Sequence, residues 1–132
     1  MSAILPKPLW LRLLTSKDAW VTIAPTIYAP AAFFEETQAS SWAAIVIHET
    51  VHLTRQTAMG RGKWLWSYFT DRDFRLKEEC LGIAAELRAM TDPSKKAMTV
   101  KWYAEALAGI DYLWAAKSED HASIAIAWFL TH

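Results

Sequence analysis

Residues 43–56 read AAIVIHETVHLTRQ, and the helix that this stretch predicts organises the rest of the fold. Its apolar residues lie almost all around a helical wheel, which is typical of a buried helix rather than a surface helix. We predict a helix from Thr37 to Met59, with Ser40 and Ser41 near its beginning and Gly60 after its end.

Two histidines and a glutamate interrupt this apolar helix. His48 and His52 are four residues apart, just over one helical turn, so both imidazoles can reach one tetrahedral metal ion. Glu49 then lies near the open coordination position, where it can take a proton from a zinc-bound water. A buried His-Glu-His triplet costs several kcal/mol unless something pairs with it. Zinc binding is therefore favoured over two histidines that are satisfied within the core.

A catalytic zinc ion usually has three protein ligands, and residues 72–90, RDFRLKEECLGIAAELRAM, offer three glutamates as the third. At about 100° per residue, Glu79 lies at the edge of the apolar stripe of this predicted helix. Glu78 points to the opposite face, and Glu86 lies on the flank of the stripe. We therefore predict Glu79 as the third ligand and Glu86 as the reserve. The alternative for Glu79 is a buried ion pair with one of three arginines, Arg55, Arg72 or Arg75.

The rest of the chain predicts a small β-sheet or hairpin and further helices. Residues 19–30, AWVTIAPTIYAP, are rich in β-branched and aromatic residues and predict one or two strands with Pro25 at an edge or a bulge. The expected fold is α+β and mostly helical, and 132 residues favour one domain, 1–132. The other predicted helices are 64–69, from Asp71 or Asp73 to Met90, 97–117 with a bend near Gly109, and 119–129 after a capping Ser118.

Composition argues against several classes of function. Fourteen basic and fourteen acidic residues cancel without a basic cluster, so we expect no nucleic-acid partner. A single cysteine, Cys80, cannot form an intrachain disulfide. Lys7, Arg12 and Lys17 interrupt the apolar N-terminal segment, so no signal peptide is predicted. The longest uncharged run, 19–34, contains prolines and is too short to favour membrane insertion.

Several further residues have open interpretations. Gln56 lies one turn after His52, where it either orients a ligand or the following loop, or is solvated. Trp64 and Trp66 could line a groove for a peptide or glycan, although core filling is the commoner role of such residues. Arg72 and Arg75 could anchor a carboxylate, but surface salt bridges are favoured. Three tyrosines are candidate oxyanion donors: Tyr68, Tyr103 and Tyr112.

HETVH followed by a glutamate on a later helix resembles the gluzincin branch of HExxH zinc metallopeptidases. The pattern HETVHLTRQ, WLWSYF and FRLKEECLGIAAEL is similar to small phage- and bacteria-encoded proteins. Those proteins have an HExxH segment followed shortly by a glutamine, an aromatic tract and an arginine shortly before a ligand glutamate. The resemblance covers roughly residues 10–130 and implies a minimal zincin fold with Zn²⁺ and Glu49 as general base. Such proteins often carry another acidic residue and an alanine where this chain has Leu81 and Gly82.

The expected function is that of a zinc metallopeptidase, a hydrolase acting on a peptide or protein substrate. Zinc would be held by His48, His52 and Glu79, with water activated by Glu49. The alternative is a structural or adaptor protein of an assembly such as a phage particle, with structural zinc or none. The expected location is the cytoplasm, that of the host cell if the protein is phage-encoded, or the virion.

Overall fold

A computed structural model describes residues 3–35 and 42–132. The predicted start of the central helix, with Ser40 and Ser41, lies outside the described residues. Within them helices predominate and three short strands form one sheet, which confirms the mostly helical α+β class.

The sheet is small and lies at the N-terminal end of the chain. Its strands are β1 (Ala3–Pro6), β2 (Val21–Ile23) and β3 (Thr26–Ala29). The central strand β3 is parallel to β1 and antiparallel to β2. Pro25 lies in the connection between β2 and β3 rather than within a strand, because proline has no N–H for a ladder hydrogen bond.

The helices follow the expected order, with boundaries set by local caps. Gly60, with φ 98°, ends the histidine-bearing helix at Met59, and the side chain of Asp71 caps a later helix by accepting from the N–H of Phe74 at 3.1 Å. Ser118 caps the last helix as predicted, accepting from the N–H of His121. The helices are α1 (Leu9–Leu14), α2 (Ala31–Glu35), α3 (Ala43–Met59), α4 (Arg61–Thr70), α5 (Arg72–Ala89), α6 (Pro93–Leu107) and α7 (Glu119–Thr131).

The helix predicted over 97–117 is wrong at both ends. It begins earlier, at Pro93, because the Asp92 side chain accepts from the N–H of Ser94 at 2.9 Å. It ends at Leu107 and is followed by a 3₁₀ turn, Ile110–Tyr112, in place of a bent helix. The next two residues, Leu113 and Trp114, have φ values of 52° and 50°, which a right-handed helix cannot include.

Helix α5 is buried on two faces, and this arrangement positions the site. Its predicted apolar stripe packs against α6 and α7 in the main core. Its other face packs against α3, which is in turn covered by α4 and β2. The largest fully buried apolar side chains of the core are Ile83, Leu87, Leu107 and Ile126.

Glu78 lies on this second face, opposite the apolar stripe as predicted, and this face is also covered by protein. Its side chain is completely buried. Arg55 of α3 donates to both of its carboxylate oxygens at 2.9 Å, and the indole N–H of Trp64 donates at 2.6 Å. Helical periodicity gave the direction of Glu78 relative to the stripe correctly. It could not reveal that α3 and α4 cover the opposite face.

Gln56 joins α3 to the hairpin and is not solvated. Its side chain is fully buried, its amide N–H donates to the carbonyl of Thr22 at 2.7 Å, and its amide oxygen accepts from the N–H of Ala24 at 2.8 Å. Gln56 thus supplies the hydrogen bonds that these two backbone groups would otherwise lack.

Replacing Gln56 with alanine should lower the free energy of unfolding by roughly 3 kcal/mol, because it leaves two backbone groups buried without partners. Urea unfolding measures this change. Thr57→Ala removes a neighbouring exposed hydroxyl and should shift stability by no more than about 0.5 kcal/mol. Equal effects of the two substitutions would contradict this role of Gln56.

Candidate metal centre

Three buried side chains from two helices bring their polar atoms to one point. The Nε2 atoms of His48 and His52 are 3.1 Å apart, and Glu79 Oε1 lies 3.1 Å from the first and 3.2 Å from the second. The three residues are at most 5% exposed. Helix α3 supplies both histidines from one face, and α5 supplies the glutamate across the helix pair. The structure therefore brings together the three residues that the sequence predicted as ligands.

The spacing of these atoms fits a small divalent cation. Zinc–ligand bonds of about 2.0–2.1 Å in tetrahedral geometry separate neighbouring ligand atoms by about 3.3 Å. In neutral imidazole one nitrogen is an acceptor, and a carboxylate oxygen is always an acceptor, so the three atoms cannot bond to one another without a proton or a cation between them. The donor set therefore matches a metal site.

Without a metal, a proton takes this position. Burial lowers the pKa of His48, but its hydrogen bonds to Glu79 and Glu86 raise that pKa more strongly, to about 10. Burial raises the pKa of Glu79, but the positive charge of His52 and hydrogen bonds from both histidines hold it well below its usual range. Both shifts have the direction that a positive charge among these acceptors produces.

The second oxygen of Glu79 is held by α4. The Tyr68 hydroxyl donates to Glu79 Oε2 at 2.6 Å, and the Tyr68 ring stacks on Trp64 with centroids 4.9 Å apart. Burial and the nearby Glu79 carboxylate raise the pKa of Tyr68, so it remains a neutral donor. Trp64 fills the interior, whereas Trp66 is 72% exposed and does not line the site.

Glu86 contacts Nδ1 of His48, whereas Nε2 of the same ring faces His52 and Glu79. Its Oε1 lies 2.9 Å from His48 Nδ1 and accepts from the Tyr103 hydroxyl at 2.7 Å. The reserve ligand therefore lies on the nitrogen that points away from Glu79. Helix α5 produces this difference because Glu79 and Glu86 are two turns apart on it.

Glu49 is 7% exposed and is oriented by the sheet. Its Oε2 accepts from the hydroxyl of Thr22 on β2 at 2.7 Å. Its negative charge helps to raise the pKa values of His48 and Tyr68. Thr22 of the sheet thus holds a buried carboxylate that directly follows His48 on the helix that supplies both histidines.

Two arginines near the start of α5, Arg72 and Arg75, hold a turn rather than a carboxylate. Arg75 is 6% exposed, and its guanidinium donates to the backbone carbonyls of Tyr68, Tyr112 and Leu113 at 2.6–3.1 Å. Arg72 donates to the carbonyl of the residue after Leu113. The preference for surface salt bridges is therefore wrong. These bonds fix the left-handed residues that follow the 3₁₀ turn, and no glycine in the sequence marked that conformation.

Gly82 is a site residue that the sequence did not reveal. A Cβ atom at this position would lie 2.6 Å from Cδ2 and 2.7 Å from Nε2 of His48. The missing side chain lets α5 approach α3 closely enough for Glu79 to reach the histidines. The sequence did carry one indication, which is a glycine in the interior of a predicted helix. Such a glycine costs about 1 kcal/mol relative to alanine, so its presence there points to close packing against a neighbouring element.

Comparisons with family models, curated proteins and solved structures find no significant match. None of the helices within residues 3–35 and 42–132 is long and apolar enough to cross a membrane.

Proposed function

We propose that this protein is a zinc-dependent hydrolase of peptide bonds with a minimal zincin fold. His48, His52 and Glu79 are the proposed ligands, and Glu49 is the proposed general base. The observation that supports the proposal is the convergence of three buried donor atoms within 3.1–3.2 Å of one another. Two imidazoles and one carboxylate are a common ligand set of catalytic zinc, and three protein ligands leave one position for water.

Each polar side chain around the cluster has a role in this chemistry. Bound zinc would lower the pKa of a water molecule and polarise the substrate carbonyl. Glu49 accepts a proton from the attacking water and returns it to the leaving amine. The Thr22 hydroxyl orients the Glu49 carboxylate, and the Tyr68 hydroxyl holds the oxygen of Glu79 that is turned away from the histidines.

Of the three candidate oxyanion donors, Tyr112 fits this role best. The hydroxyls of Tyr68 and Tyr103 each donate to a carboxylate at 2.6–2.7 Å. The Tyr112 hydroxyl donates to none of the side chains within 3–35 and 42–132, and burial together with the charges of Glu79 and Glu49 raises its pKa. We propose this neutral hydroxyl as the donor to a substrate oxygen.

The proposal is tested by incubating the protein with a peptide mixture from an unfolded protein and detecting cleavage by mass spectrometry. We expect cleavage by the purified protein, its loss after chelation and its return on adding zinc but not magnesium. Zinc-loaded protein that cleaves no peptide would contradict the peptidase proposal while leaving the metal site intact.

A structural or adaptor role is the second candidate, and the burial of the ligands favours it. His48, His52 and Glu79 are 2–5% exposed, which leaves little ligand surface for a substrate. Zinc would then contribute folding energy, as it does in structural sites, and the partner would be a protein assembly such as a phage particle. Chelation should lower the Tm under both candidates, whereas only the hydrolase turns over peptides.

A further inference from the structure

We propose that Glu86 is a positioning residue that fixes the tautomer and ring orientation of His48, and that Tyr103 acts through Glu86. The inference rests on the metal site of the proposed function but does not require hydrolysis. It also implies that the two histidines of HETVH are supported unequally.

The proposal stands on a buried hydrogen-bonded chain behind His48. Glu86 Oε1 lies 2.9 Å from His48 Nδ1, and the Tyr103 hydroxyl lies 2.7 Å from the same oxygen and 3.3 Å from the same nitrogen. The three residues are 2–7% exposed, and the Tyr103 ring stacks on the His48 ring with centroids 5.5 Å apart. Water therefore has little access with which to replace either contact.

This arrangement determines which nitrogen of His48 can bind a metal. An ionised carboxylate only accepts hydrogen bonds, so the proton between Glu86 and His48 belongs to Nδ1. The lone pair of the neutral ring then lies on Nε2, the atom that faces His52 and Glu79. A carboxylate behind the ring also makes the imidazole more basic and strengthens its bond to a metal.

His52 has no such support. Its Nδ1 is buried without a hydrogen-bond partner among residues 3–35 and 42–132, and its ring rests on Trp64 with centroids 5.6 Å apart. At Nδ1, the nitrogen remote from the cluster, His52 is therefore supported by packing alone, whereas His48 is supported by hydrogen bonds. Loss of Glu86 should therefore act on one of the two histidines only.

The test is the zinc Kd, measured by competition with a chromophoric chelator. Loss of the carboxylate in Glu86→Ala should weaken zinc binding by about 10- to 100-fold. Glu86→Gln keeps an oxygen that can accept from Nδ1–H, so its loss should be smaller. Tyr103→Phe should cost a few-fold, and the double variant Glu86→Ala/Tyr103→Phe should bind about as well as Glu86→Ala, because Tyr103 acts through Glu86.

Glu78→Gln is the matched control, since Glu78 is also a buried carboxylate of α5 but contacts Arg55 and Trp64. It should lower stability and leave the zinc Kd within about twofold of wild type. Imidazole ¹⁵N spectra of the zinc-loaded protein supply a readout that a merely structural role would not move. They should show protonated Nδ1 on His48 in wild type and loss of that signature in Glu86→Ala.

Either of two results would overturn this inference without affecting the proposed function. One is a zinc Kd in Glu86→Ala equal to that of wild type. The other is a loss of zinc affinity in Glu78→Gln as large as that in Glu86→Ala. If Glu86→Ala does not fold, the graded losses in Glu86→Gln and Tyr103→Phe and the wild-type spectrum decide the question. Wild-type protein that binds no zinc would overturn the proposed function and this inference together.

Discussion

Gly82→Ala should destabilise the protein by about 3 kcal/mol and weaken zinc binding strongly, although alanine normally stabilises a helix. The added Cβ would lie 2.6 Å from the His48 ring. The ring cannot retreat cheaply, because Glu86 and Tyr103 hold its far side. Either α5 moves away from α3, or His48 loses its hydrogen bonds and its alignment with the other two ligands.

Urea unfolding of metal-free and zinc-loaded protein measures the effect of Gly82→Ala. Gly62→Ala is the matched control, because a Cβ at Gly62 of α4 meets nothing within 4 Å. It should leave zinc binding unchanged and stabilise the protein by up to about 1 kcal/mol. If Gly82→Ala behaves like Gly62→Ala, the close approach of α3 and α5 at His48 is wrong.

Glu49→Gln should reduce peptide hydrolysis by about 10²- to 10⁴-fold while leaving zinc content and Tm near those of wild type. Glutamine has nearly the shape of glutamate, and its amide oxygen can still accept from Thr22. It cannot accept a proton from water at neutral pH. Turnover, zinc content and Tm measured on the same preparation separate this loss of a base from loss of the fold.

Glu105→Gln provides the control for Glu49→Gln, since it removes an exposed carboxylate of α6 far along the chain from HETVH. Its rate should equal that of wild type. Undiminished hydrolysis by Glu49→Gln would exclude Glu49 as the base. Loss of zinc in Glu49→Gln would instead assign it a structural part in the site.

Helical geometry accounts for the features of this side-chain cluster that the sequence anticipated. The spacing of His48 and His52 placed both on one face of a helix before any packing was known. The apolar stripe of α5 gave the face on which Glu79 lies, and the structure places Glu79 rather than Glu86 against both histidines. Helical periodicity depends only on the spacing of residues along the chain, so a single sequence is enough to reveal it.

The parts that the sequence did not predict depend on which element covers which face. Whether Glu78 is solvated depends on α3 and α4, and whether Arg75 pairs with a carboxylate depends on the turn after α6. The role of Gly82 depends on the distance between two helices. The left-handed conformation of Leu113 carries no glycine or asparagine signal, and arginine hydrogen bonds hold it.

We propose that His48, His52 and Glu79 together bind one zinc ion. The most direct test is elemental mass spectrometry of untagged protein purified without chelator, for wild type, Glu79→Ala and the exposed-site control Glu105→Ala. We expect about one zinc per chain in wild type and in Glu105→Ala, and nearly none in Glu79→Ala. Wild-type protein without zinc, even after zinc is supplied, would contradict the claim and make HETVH a packed segment of a structural helix.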